Sequence, residues 1–151
     1  MNVTLREISA ATLRQVLALS VTPEQQKFVA PNAVSLAEAL FSPEAWYRAI
    51  YHDEEPAGFV MLYDETLRPV VPENPQVAIW RFMIDRNSQG RGIGAAALQL
   101  VVGHVRAQTR CQTLLVSYVP GPGCPESFYL RGGFRHTGRV DDGEIVLELP
   151  L

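Results

Sequence analysis

Residues Gln89 to Gly94 read Gln-Gly-Arg-Gly-Ile-Gly, a run whose residue types suit the binding of a diphosphate. Glycines let the backbone reach positive φ and approach a ligand with no Cβ in the way. A helix beginning at Ile93 brings unpaired N–H groups and the positive end of its dipole to the same point. Arg91 adds a forked cation. No Ser, Thr, Asp or Asn stands directly before Ile93, so a bound anion would serve as the helix cap. The same residues also read as a plain strand-to-helix turn in which glycine serves geometry alone.

Two other phosphate-binding patterns fail here. A P-loop needs Lys followed by Ser or Thr, and neither pair occurs after these glycines. Gly92, Gly94 and Ala97 satisfy Gly-x-Gly-x-x-Gly/Ala, but the next strand, Thr113 to Tyr118, ends without the carboxylate that a dinucleotide site requires. The chain beyond Gly94 is also too short for the rest of a doubly wound sheet. A nicotinamide or flavin fold is therefore disfavoured.

The elements that must position this turn are legible around it. An apolar strand, Val77 to Ile84, precedes it, and an amphipathic helix, Ile93 to Ala107, follows. Val3 to Ser9 is a first strand and Thr12 to Leu19 a short helix. Thr22-Pro23-Glu24-Gln25 marks a helix start, with Thr as cap, Pro in the first turn and Gln three residues on. Pro31-Asn32 interrupts, and Ser35 to Phe41 forms a further helix. Tyr47 to Tyr51 and Ala57 to Tyr63 are strands around the turn His52 to Pro56, and Asp64 to Pro75, with its prolines, is a loop. After Thr113 to Tyr118 come a Pro/Gly loop (Pro120 to Pro125), a helix from Glu126 to Arg131 stopped by Gly132-Gly133, and strands Phe134 to Val140 and Glu144 to Leu149 around a hairpin at Asp141-Asp142-Gly143.

The expected order is β-α-α-β-β-β-α-β-α-β-β, an α/β fold with a mixed, mostly antiparallel central sheet flanked by helices on both sides. Residues 1–151 are expected to form one domain. Val77 to Ile84 and Thr113 to Tyr118, joined by a helical crossover, should run parallel; if their ends part, a slot opens beside the glycine turn.

Composition narrows the function classes. With 47% apolar and 19% charged residues the chain is an ordinary globule. A net charge of −3 argues against a nucleic-acid partner and suits cationic small molecules. No secretory signal and no membrane-length apolar run is present, which points to the cytoplasm. Cys111 and Cys124 make neither a disulfide framework nor a metal site, and no metal is expected.

Gln89, Gly92 and Gly94 match the pattern Gln/Arg-x-x-Gly-x-Gly/Ala, and Tyr129, Gly133 and Phe134 match Tyr-x-x-x-Gly-Phe in the correct order after the next strand. On these motifs and the element order, the chain resembles the Gcn5-related N-acetyltransferase (GNAT) superfamily over nearly its whole length. Phe28 to Asn32 (FVAPN), Trp80 to Asp85 (WRFMID) and Asp142 to Val146 (DGEIV) further resemble small bacterial spermine/spermidine acetyltransferases.

The resemblance implies acetyl-CoA as donor and a small-molecule amine, a polyamine or diamine first, as acceptor. Backbone N–H groups of Gln89, Gly90, Arg91, Gly92, Ile93 and Gly94 would hold the diphosphate. The strand edge at Phe82, Met83 and Ile84 would pair with the pantetheine amides, with a backbone N–H near Phe82 or Met83 polarising the thioester carbonyl. Tyr129 would protonate the departing thiolate, or would only pack against the coenzyme. Glu24 and Phe28 are expected at the acceptor. Pro122 stands where relatives often carry Asn, whose amide would contact the coenzyme, and Pro125 where a small Ala is usual. Homodimers are common in the superfamily, and no segment identifies an interface. Other amine acceptors (an aminoglycoside, an amino acid, a protein N-terminus) and a non-catalytic acyl-CoA sensor are the alternatives.

No general base is assigned. Ala78 occupies the position where some relatives place Glu. Asp53, Glu54, Glu55, Asp64 and Glu65 cluster around the preceding hairpin and read as solvated charges, or as groups that bind a polycation or relay its proton through water; His52, His104 and His136 are the other candidates by residue type.

Overall fold

A computed structural model describes all of residues Met1–Leu151. Its elements are β1 (Val3–Arg6), α1 (Leu13–Ala18), α2 (Asn32–Ala39), β2 (Ala45–His52), β3 (Glu55–Asp64), β4 (Val77–Ile84), α3 (Ile93–Gln108), β5 (Thr113–Tyr118), α4 (Glu126–Arg131), β6 (Arg135–Asp141) and β7 (Glu144–Pro150). Short 3-10 turns cover Pro23–Gln25 and Glu65–Leu67. The strands form one seven-stranded sheet in the order β1-β2-β3-β4-β5-β7-β6. Only β4 and β5 are parallel, as a helical crossover demands.

Each strand's alternation feeds two apolar layers. Ile50, Val60, Leu62, Val77, Ile79 and Leu114 face α3, whose Ile93, Ala97, Leu98, Val101 and Val105 are buried against them. Ala49, Phe59, Met61 and Met83 face the opposite side, where Val16 of α1 and Leu36 of α2 cover them. Helices thus flank both faces, as the element order predicts.

Two sequence expectations need correction. The second helix starts at Asn32, not Ser35, because Pro31 precedes its first turn instead of breaking it. Asn32 is buried, and its Nδ2 donates to Val16 O at 2.9 Å, tying α2 to α1. The loop after β3 also contains a helical turn, capped by the Asp64 carboxylate accepting from Thr66 N–H.

Two irregularities set the shape of β4. Met61 pairs with Arg81 and Leu62 with Ile79, so Trp80 is an extra residue opposite none: a β-bulge. The bulge reverses the alternation, and Phe82 and Ile84 pack on the same layer as Val77 and Ile79. The β4–β5 pairing runs only from Val77↔Leu114 to Ile79↔Val116 and then stops. Beyond Ile79 the two strands part.

Gly58 of β3 permits the close approach of β4 at this end. A Cβ there would stand 2.4 Å from Met83 O, a backbone atom that cannot rotate aside. Gly58→Ala is therefore expected to force β3 from β4 and lower stability by about 1–3 kcal/mol, read as a fall in Tm.

Candidate active site

The parting of β4 and β5 opens a cleft of about 810 Å³ that runs from the glycine turn to Tyr129. Its floor is the free edge of β4. Asp85 N–H donates to Ala57 O at 2.8 Å, and Met83 O lies toward Gly58, so these odd-numbered residues bond to β3. By alternation the main-chain groups of Phe82 and Ile84 face the open edge. Ile84 O is already taken by Gln89 Nε2 at 2.9 Å. Of the three edge residues named from sequence, Met83 thus has its backbone turned away; Phe82 and the N–H of Ile84 face the open edge.

The glycine turn closes one end of the cleft. Gly90 (φ 74°) and Gly92 (φ 81°) lie in the left-handed region, where a Cβ is strained. Gly92 is the N-cap of α3 and no side chain caps the helix. No backbone N–H from Gln89 to Ala95 donates to any protein acceptor. Such a row of unpaired donors at a helix N-terminus suits an anion. Two residues of the run offer the turn their backbone alone. Ile93 is buried in the core, and the Arg91 guanidinium stands 3.4 Å from His52 Nδ1, outside the cleft lining.

Tyr129 lies at the other end, on α4. Its ring is held edge-on by Phe128 (5.1 Å) and Phe134 (5.4 Å). The hydroxyl has no hydrogen-bond partner in the protein and yet is not sealed off, since Arg81 Nε is the only unpartnered side-chain polar atom cut off from solvent. Burial pushes its pKa well above the ordinary phenol value, so it stays protonated. The two glycines after α4 explain the spacing of the motif. A Cβ on Gly132 would stand 2.7 Å from Leu98 Cδ2, and Gly133 turns the chain at φ 98° so that Phe134 folds back under Tyr129.

A second arm of about 620 Å³ leaves the cleft between the turn region of residues 26–31 and the bulge in β4. Phe28, Ile79, Trp80, Arg81 and Ser117 line both arms, so the arms meet where the strands part. Tyr63 stands edge-on to Trp80 at 5.8 Å and extends an aromatic wall. Glu144, on β7, is the one carboxylate lining either arm, and Ser117 Oγ donates to it at 3.3 Å. Lys27 and Arg81 are the cations of the second arm, Arg81 being paired with Glu38 of α2 at 3.1 Å.

Other expected candidates fall elsewhere. Phe28 is in the site, but Glu24 is exposed and lines neither arm. The acidic cluster read from the sequence does not exist as a cluster. Asp53, Glu54 and Glu55 sit at one end of β3, where Glu54 pairs with Arg6 at 2.9 Å, while Asp64 and Glu65 sit at the other end. His104 stacks on Trp46 at 4.0 Å, and burial followed by the nearby Arg48 charge lowers its pKa. His136 faces Glu126, and none of the three histidines lines the cleft. Cys111 and Cys124 are free. No group of three or more His, Cys, Asp or Glu gathers in a metal-holding geometry, and no helix is long and apolar enough to cross a membrane. Trp80, Glu144 and Gln25 were missed as site residues. Trp80 and Glu144 do lie in the WRFMID and DGEIV strings, the only sequence signal that touched them.

Comparison with known proteins agrees with this geometry. The model of the acetyltransferase (GNAT) family matches residues 13–121, which include α1 through β5 and the glycine turn. The spermine/spermidine N(1)-acetyltransferase of Bacillus subtilis (strain 168) is 25% identical over 158 aligned positions, covering 97% of each chain. An acetyltransferase from Thermus thermophilus superposes with a TM-score of 0.74 at 19% identity, covering 100% of this chain and 98% of that one. The PaiA N-acetyltransferase of Thermoplasma acidophilum, solved in complex with coenzyme A, gives 0.69 at 13% identity over the whole of both chains. A glycine turn that leaves its amides free and a sheet that splits beside it are thus set in a shared architecture, and the chain belongs to the acetyltransferase (GNAT) family of N-acetyltransferases.

Proposed function

We propose that this enzyme transfers the acetyl group of acetyl-CoA directly to a primary amine of a small polyamine or diamine. The observation that carries direct transfer is the junction of the two arms at Phe28, Trp80 and Ser117, which lets donor and acceptor meet without a covalent enzyme intermediate. The first arm fits the donor. Its unpaired amides from Gln89 to Ala95 suit a diphosphate, and the free edge at Phe82 and Ile84 suits an amide-bearing chain added like a strand.

In this reading the neutral amine nitrogen forms the new C–N bond as the C–S bond of the thioester breaks. Phe82 N–H, on the open edge, stabilises the carbonyl oxygen as it gains charge. Tyr129 gives its hydroxyl proton to the departing thiolate, while the proton that the nitrogen sheds on becoming an amide passes to solvent, from which Tyr129 is reprotonated. The amine needs help before attack: at a pKa of about 10 only ~0.1% is neutral at pH 7, a handicap of ~4 kcal/mol. Glu144 is the group that would hold the acceptor's ammonium and take or relay its proton, since it alone offers a carboxylate to the second arm.

The acceptor class rests on Glu144 and on the polyamine activity of the Bacillus subtilis relative; Phe28, Tyr63 and Trp80 already carry Lys27, Arg68 and Arg81 over their rings and offer the acceptor's carbon chain an apolar wall. Lys27 and Arg81 in the same arm oppose a high positive charge density, so a diamine fits better than a long polyamine. Thiol release with acetyl-CoA across a panel of diamines, polyamines, aminoglycosides and amino acids tests this. Turnover with diamines first is expected, and with Glu144→Gln an acceptor KM raised about tenfold, the usual cost of losing one charge-assisted contact. Preference for an acceptor bearing a carboxylate, or binding of acetyl-CoA without turnover of any amine, would refute the assignment.

A further inference from the structure

A closed set of hydrogen bonds joins the glycine turn to the wall of the acceptor arm. Gln89 Nε2 donates to Ile84 O at 2.9 Å and to Gln25 Oε1 at 2.8 Å. Gln25 Nε2 returns a bond to Gln89 Oε1 at 3.1 Å. Gln25 Oε1 also accepts from Thr22 N–H at 3.2 Å, which fixes the 3-10 turn Pro23–Gln25. The backbone continues the path, because Phe28 N–H donates to Gln25 O at 2.9 Å. Phe28 in turn lines both arms and reaches the Pro/Gly loop, where a Cβ on Gly123 would stand 3.9 Å from its ring.

This reciprocal amide pair spans residues that are 64 apart in sequence. It is more than a tether for the turn, since either residue alone could bond to water at the cleft surface. Both side chains are half-buried, and each amide fixes the orientation of the other. The pair thus links the Gln89–Gly94 turn to Gln25, and the Phe28 N–H to Gln25 O bond links Gln25 to Phe28.

We propose that Gln25 is a positioning residue that couples the two substrate arms: filling the diphosphate turn orders residues 22–30 and so shapes the wall that receives the amine. The proposal rests on the donor reading above. An anion on the free amides holds the glycines in one conformation, Gln89 then holds Gln25, and the ordering cost of Phe28 has been met before the acceptor arrives. The coupling is reciprocal, so the acceptor must tighten donor binding by the same factor. Gln25 touches no reacting atom; it acts through Phe28.

Hydrogen exchange of residues 22–30, measured with and without coenzyme A, tests this in the native chain. Coenzyme A is expected to slow exchange there by about fivefold or more, the lower end of ordinary couplings. In Gln25→Leu, coenzyme A should still bind with a Kd within about threefold of the native value, while the added protection disappears and acceptor KM rises about tenfold at similar kcat. Gln25→Glu keeps both bonds in which Oε1 accepts but sets its second oxygen, with no proton to give, against Gln89 Oε1, and should restore protection and KM only in part. Coenzyme A binding without added protection in the native chain, or full protection retained in Gln25→Leu, overturns the coupling and leaves the donor reading standing. Absence of coenzyme A binding in the native chain overturns the donor reading itself, and the coupling with it.

Discussion

Tyr129→Phe is expected to lower kcat about 10²-fold or more, the usual worth of a positioned general acid, with little change in the Kd for acetyl-CoA. The substitution is well isolated. The hydroxyl bonds to nothing in the protein, so its removal orphans no partner, and the ring keeps its edge contacts with Phe128 and Phe134. A loss of turnover therefore reports on chemistry and not on folding. Burial raises the phenol's pKa, which weakens it as an acid in the resting enzyme. A thiolate forming in the same cleft is deprived of water as well, so its proton affinity rises in parallel and the match survives. The sign for pH follows directly. Because the folded pKa lies above the ordinary value near 10, Tyr129 remains protonated below about pH 10 and contributes no falling limb there. kcat/KM should instead rise with pH as the amine loses its proton. Turnover and calorimetric binding measured on the same preparation decide it, and equal kcat in Tyr129→Phe removes Tyr129 from the mechanism.

What could be read from sequence was what is local. β4, β5 and α4 have the expected bounds because apolar runs there end at glycine, proline or charge. The glycine turn and Tyr129 were legible for the same reason: the φ requirement of Gly92 and the close packing of Gly132 are written into a few adjacent residues. The parallel direction of β4 and β5 followed from the crossover, whereas the parting of their ends entered only as a condition and is supplied by the structure, where the pairing stops at Ile79. The bulge at Trp80 was not legible, since it arises from the register against β3 and nothing in WRFMID announces an unpaired residue. Glu144 entered the site through sheet order, in which β7 lies beside β5. Gln25 entered through a partner distant in sequence. The acidic cluster failed by the converse error. Its residues are near one another in sequence but lie across the whole length of a strand, which separates what the chain sets close. Pro31 misled because proline ends one helix and begins another with equal ease.

Gly92→Val should weaken acetyl-CoA binding by about 10²-fold or more while leaving the fold in place. Gly92 sits at φ 81°, and the only heavy atom near a Cβ there is the Met1 side chain at 3.8 Å, so the obstacle is torsional and not steric crowding. A β-branched residue is a true outlier in that region and costs on the order of 1–3 kcal/mol. The chain can relieve this by leaving the left-handed region, and the amides on either side then turn away from a common point. Losing two charge-assisted hydrogen bonds, at ~1.5–3 kcal/mol each, removes ~3–6 kcal/mol of donor binding, which exceeds 10²-fold in Kd. Gly92→Asn separates the torsional cause from mere bulk. Asn tolerates the left-handed conformation far better than Val although it carries a side chain of similar size. The expected order of Kd is Gly92, then Asn, then Val, with most of the loss between the last two. Equal loss in both variants would mean that side-chain volume, and not the direction of the free amides, governs the donor site; titration calorimetry with coenzyme A reads the difference.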